Sequence, residues 1–199
     1  EVEERAVKDS AEQAGAKEVR LIHEPMAAAI GIGIDVLEPM GNMIVDIGGG
    51  TSEIAVIALG GIVNNKSIRT AGDDFTDEIV EYMRKQHNMH VGERTAEMIK
   101  IEVGSALTEL DNPPEEYAVH GRDMLTGIPK EIKVNYSEIA YCLDKSISKI
   151  ETAVLNALEQ TPPELSADIY RTGIYLTGGG ALLRGLDKRL HAKTKLPIH

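Results

Sequence analysis

The chain has 199 residues, and 32 acidic against 21 basic side chains give it a formal net charge of −11. Such a surface repels nucleic acid and anionic lipid, and no run of basic residues reverses the sign locally, so we expect no nucleic-acid binding. Cys142 is the only cysteine, which excludes an intrachain disulfide and predicts a buried thiol in a reducing cytoplasm. No apolar run approaches the ~18 residues of a membrane span.

The first third of the chain predicts two helices and a β-meander. A helix over 2–14 is closed by Gly15, a short strand follows at 19–22, and small residues favour a second helix over 25–32. The buried strand MIVDI then leads into three glycines, and EIAVIAL alternates as a further strand. A two-residue turn at Gly60-Gly61 predicts an antiparallel hairpin into a third strand over 62–69.

The rest of the chain is mainly helical. Helices are predicted over 73–86, 93–103 and 137–160, the last with apolar residues spaced three or four apart and ended by Pro162 and Pro163. An acidic, proline-containing loop spans 111–116, and two short strands are expected around 117–120 and 131–134. A strand over 174–177 runs into a second glycine triplet, after which Leu182 opens a last helix.

The two glycine turns are candidate ligand sites. In DIGGGTSE, the glycines can point several N–H groups into one concavity that suits a phosphate. Asp46 could hold Mg²⁺ through water, and Thr51 offers a hydroxyl. The dinucleotide fingerprint and the P-loop both fail, because the third glycine and the Lys-Ser/Thr ending are missing. A plain hairpin turn without a ligand is an equal alternative.

Other candidates are ambiguous when taken alone. The glycines of YLTGGGALLRGL could let a flat ring approach the backbone, or could form an ordinary strand-to-helix turn. Glu24 begins a helix, where a carboxylate can simply offset the helix dipole. Glu97 and Lys100 are three residues apart on a helix. They could together hydrogen-bond two ribose hydroxyls, or could form a surface ion pair.

Four strings, in this order, resemble the MreB family of bacterial actin homologues that maintain rod shape: HEPMAAAIGIG, DIGGGTSE, GERTAEMIKIEVG and IYLTGGGALLRGLD. The resemblance covers essentially the whole chain. The glycine turns are shared with actins, sugar kinases and seventy-kilodalton chaperones, whereas EPMAAAIG and ERTAEMIKIE are more specific. The resemblance implies an α/β actin-like ATPase fold: a ribonuclease-H-like domain with a mixed sheet and a smaller, mostly helical α+β subdomain.

The resemblance also implies a division of the chain. Residues 1–33 correspond to the end of subdomain IA, 34–87 with 173–199 to subdomain IIA, and 88–172 to subdomain IIB. The family's first phosphate loop is not among these residues. We therefore expect a piece of a longer protein that holds about half of the nucleotide site and has little or no ATP hydrolysis by itself.

Roles follow by the same resemblance. Glu24 would orient and activate the attacking water with the help of Thr51, and Asp46 would support Mg²⁺ through water. Ser52 stands where the family more often has threonine. The residues implied to bind ATP are Gly48, Gly49, Gly50, Thr51, Ser52, Glu97, Lys100, Gly178, Gly179, Gly180 and Ala181.

The implied function is an ATP-dependent cytoskeletal filament that directs cell shape and cell-wall synthesis. Its partners would be further copies of itself and a membrane-anchored shape-determining protein docked on subdomain IIA. It would be cytoplasmic and membrane-associated as filaments, with membrane contact only through parts outside these residues. The alternatives are a soluble chaperone-type ATPase, which would favour threonine at Met26 and Phe-Asp at Ser52 and Glu53, and a nucleotide-binding scaffold without turnover.

Overall fold

A computed structural model describes residues 2–199. Its larger sheet has four strands in the order β3-β2-β1-β7, with β1 parallel to β7 and the other pairs antiparallel. The strands are β1 (Asn42–Ile47), β2 (Ser52–Ala58), β3 (Gly61–Ile68) and β7 (Ile174–Thr177). The sheet is therefore mixed, as predicted.

Helices cover both faces of this sheet. Successive strand residues point to opposite faces, so Val45 of β1 joins the main core while its neighbour Ile44 joins a smaller cluster. The smaller cluster is covered by α2 (Glu24–Gly31) through the buried Ala29. Helices that contribute to the main core are α3 (Gly72–His87), α4 (Glu93–Val103), α5 (Tyr136–Glu159), α6 (Pro163–Thr172) and α7 (Leu186–Thr194).

A three-stranded antiparallel sheet, ordered β4-β5-β6, extends the same core. It consists of β4 (Met89–His90), β5 (Tyr117–Asp123) and β6 (Pro129–Val134), and α4 (Glu93–Val103) packs beside it. By contrast, α1 (Val2–Gln13) contains no buried residue. Among the described residues, no helix is long and apolar enough to cross a membrane.

The periodic segments were predicted well. The three-stranded meander, the helix over 93–103 and the proline-terminated long helix are all present within a residue or two of their predicted bounds. The long helix begins with a capping box, in which the Asn135 side chain accepts from the Glu138 amide and the Glu138 carboxylate accepts from the Asn135 amide. Each reciprocal hydrogen bond satisfies a donor that the helix end would leave unpaired.

The strand expected at 19–22 was wrong. Leu21 and Ile22 are about half exposed, at 43% and 57%, and the segment is irregular. A strand requires a neighbour to complete its ladder, and none of the described strands lies beside this segment.

The hairpin turn lies one residue earlier than predicted. Ala58 pairs with Gly61, so the two turn residues are Leu59 (φ 52°) and Gly60 (φ 71°). The loop before β1 fixes this conformation, because the Leu59 amide donates to the Glu38 carbonyl at 2.9 Å and the Gly60 amide donates to the Val36 carbonyl. These two long-range bonds stabilise a leucine in the left-handed region.

Helix α7 begins at Leu186, four residues after the predicted Leu182, which instead ends a short 3₁₀ turn, Gly179–Leu182. The cause is the Arg184 backbone, which bridges to Ser105 and accepts from the Ala106 amide at 2.8 Å. This pairing holds the chain extended and delays the helix. Sequence reasoning also missed β4 and α6.

Candidate functional site

The two glycine turns lie at the same end of the larger sheet. Strands β1 and β7 are parallel neighbours, with Asp46 in register with Thr177, so the turns that follow them meet at the carboxyl ends of the strands. Gly178 has φ 84°, and a Cβ there would collide with the Ile47 carbonyl and the Asp46 carboxylate. Only glycine fits this contact, so the two turns pack directly against each other.

The first glycine turn is hydrogen-bonded to the start of α3. The Gly48 and Gly49 carbonyls accept from the Gly72 and Asp73 amides at 3.0 and 2.8 Å. These bonds satisfy donors at the helix N-terminus. The amides of Gly49 and Gly50 make no hydrogen bond to the described residues. They are the donors that a bound anion could use.

Thr51 and Ser52 differ in their surroundings. Thr51 is exposed. Ser52 is fully buried, and its hydroxyl donates to the Thr70 carbonyl at 2.7 Å. Because that hydroxyl is committed to the β3–α3 loop, any contribution of Ser52 to a ligand would come from its backbone.

Glu97 and Lys100 form an ion pair, and they also line a cavity. Lys100 Nζ lies 2.6 Å from Glu97 Oε2 and donates to the Gly72 carbonyl at 2.9 Å and to Thr76 Oγ1 at 3.0 Å. Burial raises the pKa of Glu97, but the hydrogen bonds from Lys100 and Thr76 outweigh it and leave that pKa below its ordinary value. The Glu97 carboxylate is therefore favoured, and the hydrogen bonds hold both side chains at one cavity wall.

The cavity has a volume of about 720 Å³, within the range of ~300–1,000 Å³ typical of small-molecule sites. Both glycine turns, α3 and α4 form its walls. Its lining residues are Gly48, Gly49, Gly72, Asp73, Phe75, Thr76, Glu93, Arg94, Glu97, Lys100, Ile101, Gly104, Gly179, Gly180, Leu182, Leu183 and Arg184.

Six of the residues implied to bind ATP line this cavity, two each from the first glycine turn, α4 and the second glycine turn: Gly48, Gly49, Glu97, Lys100, Gly179 and Gly180. Their neighbours Gly50, Thr51, Ser52, Gly178 and Ala181 do not line it, nor do Glu24 and Asp46. The structure thus brings together residues that are separated by more than a hundred positions in sequence.

Arg184 was missed as a lining residue. Its Nη1 donates to the Ile101 carbonyl at 2.8 Å, which fastens the second glycine turn to the end of α4. Arg184 belongs to the string IYLTGGGALLRGLD, so the motif contained it. Nothing in its spacing indicated which helix it would meet.

An acidic group lies beside the first turn. Asp46 of β1 is directly opposite Glu53 of β2. Burial, then the charges of Glu24 and Asp46, raise the pKa of Glu53, against a smaller lowering by His23. Glu24 is thus close enough to this turn to affect its electrostatics. Sequence reasoning assigned Glu53 no role, although it is the strand partner of Asp46.

The described residues contain no cluster of three or more His, Cys, Asp or Glu side chains that could cage a metal. A fully caged site is therefore not supported. Mg²⁺ that keeps most of its water needs only one or two carboxylates. The charges of Glu24 and Asp46 raise the pKa of Glu53, so these carboxylates repel one another. A hydrated divalent cation bound beside them would reduce this repulsion.

The model of the MreB/Mbl protein family matches residues 1–199. The chain belongs to that family. It is 48% identical over 197 residues to the cell shape-determining protein Mbl of Bacillus subtilis (strain 168), covering 99% of this chain and 59% of that protein. It is 49% identical over 198 residues to the cell shape-determining protein MreB of Escherichia coli (strain K12), covering 100% and 56%. The chain thus spans a little over half the length of these relatives.

Solved structures confirm the predicted fold. The crystal structure of MreB5 of Spiroplasma citri bound to AMPPNP matches with a TM-score of 0.95 at 42% identity, over 100% of this chain and 59% of that one. The ADP-bound structure of the same protein matches with a TM-score of 0.96. The MamK filament matches at 0.76 with 17% identity, which is evidence for the shared actin-like fold alone.

Proposed function

We propose that the full-length protein is an ATP-dependent, actin-like cytoskeletal protein that polymerises and directs cell shape and cell-wall synthesis. The relatives named cell shape-determining proteins support this proposal. So do the Spiroplasma citri structures bound to AMPPNP and to ADP. Because the chain spans only part of these proteins, the activity belongs to the full-length molecule.

The observation that carries the proposal is the cavity between the two glycine turns. A nucleotide there would place its adenosine against Gly179 and Gly180 and its phosphates near the free amides of Gly49 and Gly50. The Glu97–Lys100 pair would meet the ribose hydroxyls, because a carboxylate accepts and an ammonium donates.

Hydrolysis would use the acidic group beside the first glycine turn. Asp46 would hold Mg²⁺ through water, which neutralises charge that develops on the transferring phosphoryl. Glu24, assisted by Thr51, would orient the attacking water and accept its proton, a contribution of roughly 10² to 10⁴ in rate. The electrostatic influence of Glu24 on Glu53 supports a position near the first turn.

The subdomain division stays a proposal. Residues 1–33 would belong to IA, 34–87 with 173–199 to IIA, and 88–172 to IIB. Helix α5 contributes Leu143, Ile147 and Ile150 to the core beneath the larger sheet. This packing favours moving the IIB boundary so that α5 and α6 belong with IIA.

For partners and location, we propose filaments in the cytoplasm that associate with the membrane through parts outside these residues. A membrane-anchored shape-determining protein would dock on subdomain IIA. The docking surface and the longitudinal contact between copies would both lie largely within residues 60–87 and 173–199.

Two alternatives differ in what they would do with nucleotide. A chaperone-type ATPase would hydrolyse ATP without assembling, and a scaffold would bind nucleotide without turnover. The MreB/Mbl family match favours neither. Sedimentation of the full-length protein with ATP separates the filament from the chaperone, and phosphate release separates the ATPase from the scaffold.

Gly179→Val tests the site itself. Gly179 lines the cavity, and a Cβ built there meets no atom within 4 Å, so valine should occupy ligand space without disturbing the protein. Gly31→Val is the matched control, because its Cβ also meets open space and it does not line the cavity. Calorimetry on the full-length protein should show ATP binding lost in the first variant and kept in the second. Equal binding by both variants would place the nucleotide elsewhere.

A further inference from the structure

A groove of about 360 Å³ runs between strand β3 and helix α5. It shares no lining residue with the cavity between the glycine turns. Its walls carry lysines, hydroxyls and an amide above a small apolar floor. The lining residues are Lys66, Ile68, Lys145, Ser148, Lys149, Thr152, Ala153 and Asn156.

The groove is a positive feature on an acidic protein. Its three lysines, Lys66, Lys145 and Lys149, form no salt bridge with any of the described residues. The acids that α5 could have supplied, Asp144 and Glu151, are paired with Arg189 instead. Since the protein as a whole carries a net charge of −11, this unbalanced basic strip stands out as a site for anions.

Strand β3 is an edge strand of the larger sheet. An edge strand directs alternate N–H and C=O groups away from its partner, where another strand can pair with them. The one irregularity in the β2–β3 ladder lies at Val56/Ile57, towards the hairpin turn. Residues 64–68 are regularly paired with β2, so their outer edge is straight. Lys66 lies in this segment, on the face that α5 covers.

We propose that this groove docks an extended acidic segment of a partner protein, which adds a strand to the free edge of β3. The partner's backbone would pair with residues 64–68, and alternate carboxylates would meet Lys66, Lys145 and Lys149. This mode takes affinity from main-chain hydrogen bonds and specificity from alternate side chains.

A polypeptide fits better than other anions. Phosphate-rich polymers and lipid headgroups would use the lysines but not the backbone edge. The acidic loop of a second copy, over 111–116, is also a poor fit. Its Pro113 and Pro114 lack the N–H groups that a paired strand must donate.

The probe is a fluorescein-labelled short peptide of alternating Glu and Val residues, titrated into the full-length protein and followed by anisotropy. We expect binding that weakens steeply with added salt, because at 0.1 M the attraction between exposed charges decays over a Debye length of ~10 Å. The triple variant Lys66→Gln, Lys145→Gln, Lys149→Gln should bind at least about tenfold more weakly.

A matched control replaces three lysines that form no salt bridge with the described residues and lie outside the groove: Lys17→Gln, Lys133→Gln and Lys193→Gln. It lowers the net charge equally and should bind the peptide like the unaltered protein. If the control loses as much affinity as the groove variant, the attraction is general and the proposal is wrong.

A peptide with every backbone amide N-methylated separates strand addition from simple charge attraction. It keeps every carboxylate but has no N–H group to donate to β3, so its binding should be lost. Equal binding of the methylated peptide, or full displacement by inorganic polyphosphate or phosphatidylserine vesicles at matched charge, would overturn the proposal. ATP binding should be unchanged in the groove variant, so this test is independent of the nucleotide site.

Discussion

Arg189 and Glu151 form a buried ion pair that joins α7 to α5. Arg189 Nε lies 2.8 Å from Glu151 Oε1, and the two side chains are only 14% and 5% exposed. Arg189 also donates to the Ala106 carbonyl at 3.1 Å and to Ser148 Oγ at 3.0 Å. Because these hydrogen bonds satisfy the guanidinium, the pair can be buried without leaving an uncompensated charge.

Glu151→Ala should lower the free energy of unfolding by about 3 kcal/mol, since it leaves a buried guanidinium short of its main partner. Asp144→Asn is the control. Asp144 also contacts Arg189, at 2.9 Å, but its side chain is 63% exposed, so the loss should stay within about 1 kcal/mol. Urea unfolding curves of the two variants measure both values. Similar losses would mean that burial does not set the strength of these contacts.

Sequence patterns predicted the helices and strands that depend on local periodicity. They failed at the elements whose bounds depend on contacts with distant segments. The meander and α5 follow from alternation and from four-residue spacing, and both were confirmed. The start of α7 depends on Arg184 pairing with Ser105, which no local pattern contains. The strand at 19–22 had the right residues but lacks a neighbour among the described strands.

In the candidate site too, motifs predicted some residues, whereas other contacts depend on the tertiary fold. The motifs singled out Gly49, Glu97 and Gly180 as candidates, and the structure puts all three on one cavity. The partnership of Asp46 with Glu53 required the β1–β2 register, and the contact of Arg184 with Ile101 required the tertiary fold. The roles of these residues towards a nucleotide stay predictions.

The raised pKa of Glu53 provides a test of the acidic group. Burial and the charges of Glu24 and Asp46 raise it, so Glu24→Gln and Asp46→Asn should each lower it towards the ordinary glutamate value. Carbon-detected NMR titration of the Glu53 carboxyl measures the change, with Asp35→Asn as a control. Mg²⁺ bound near this group should lower the same pKa.

The raised pKa of Glu53 makes the stability of the protein depend on pH. The folded protein binds the Glu53 proton more tightly than the unfolded chain does, so this group's contribution is present at low pH. It is lost as the pH rises from the unfolded pKa through the folded one. Glu24→Gln should reduce that loss. A Glu53 pKa that is the same in all three variants would contradict the proximity of these carboxyls.

Cys142 should be nearly inert. Burial, and then the Glu78 carboxylate, raises the pKa of Cys142 to about 12, whereas a free cysteine has a pKa near ~8.5. Because the thiolate is the nucleophile, alkylation by iodoacetamide at pH 8 should be at least ~100-fold slower in the folded protein than in urea. Glu78→Gln should lower the pKa and speed the reaction modestly. A folded-state rate close to that in urea would show an accessible thiolate.

Glu24→Gln in the full-length protein should reduce ATP hydrolysis by at least ~10²-fold while leaving ATP affinity nearly unchanged. A base that acts mainly in the transition state affects turnover more than binding. Phosphate release and calorimetric titration measure the two quantities. Glu12→Ala, which changes an exposed acid of α1, is the control. Unchanged phosphate release in Glu24→Gln would remove Glu24 from the mechanism.

The acidic face of α3 carries the last prediction, on partner docking. Several of its acids already have partners: the Asp74 carboxylate accepts from the Ala71 amide at 2.9 Å, and Glu78 accepts from Ser146 at 2.7 Å. Glu81 lies 2.6 Å from Arg84. Asp77 forms no salt bridge or side-chain hydrogen bond with the described residues, so of these four acids it is the one most available to a basic partner.

Reversing Asp77 and Glu81 to Lys should therefore slow association with a basic docking partner and flatten the salt dependence of the on-rate, because charges at an interface rim act mainly on encounter. Asp77→Lys alone should account for most of this effect, since Glu81 is partly neutralised by Arg84. Stability should change by no more than ~0.5 kcal/mol, as is usual for exposed positions. Surface-plasmon kinetics on the full-length protein decide the matter. If the on-rates and salt slopes match those of the unaltered protein, these acids have no role in docking and are only the solvated side of an amphipathic helix.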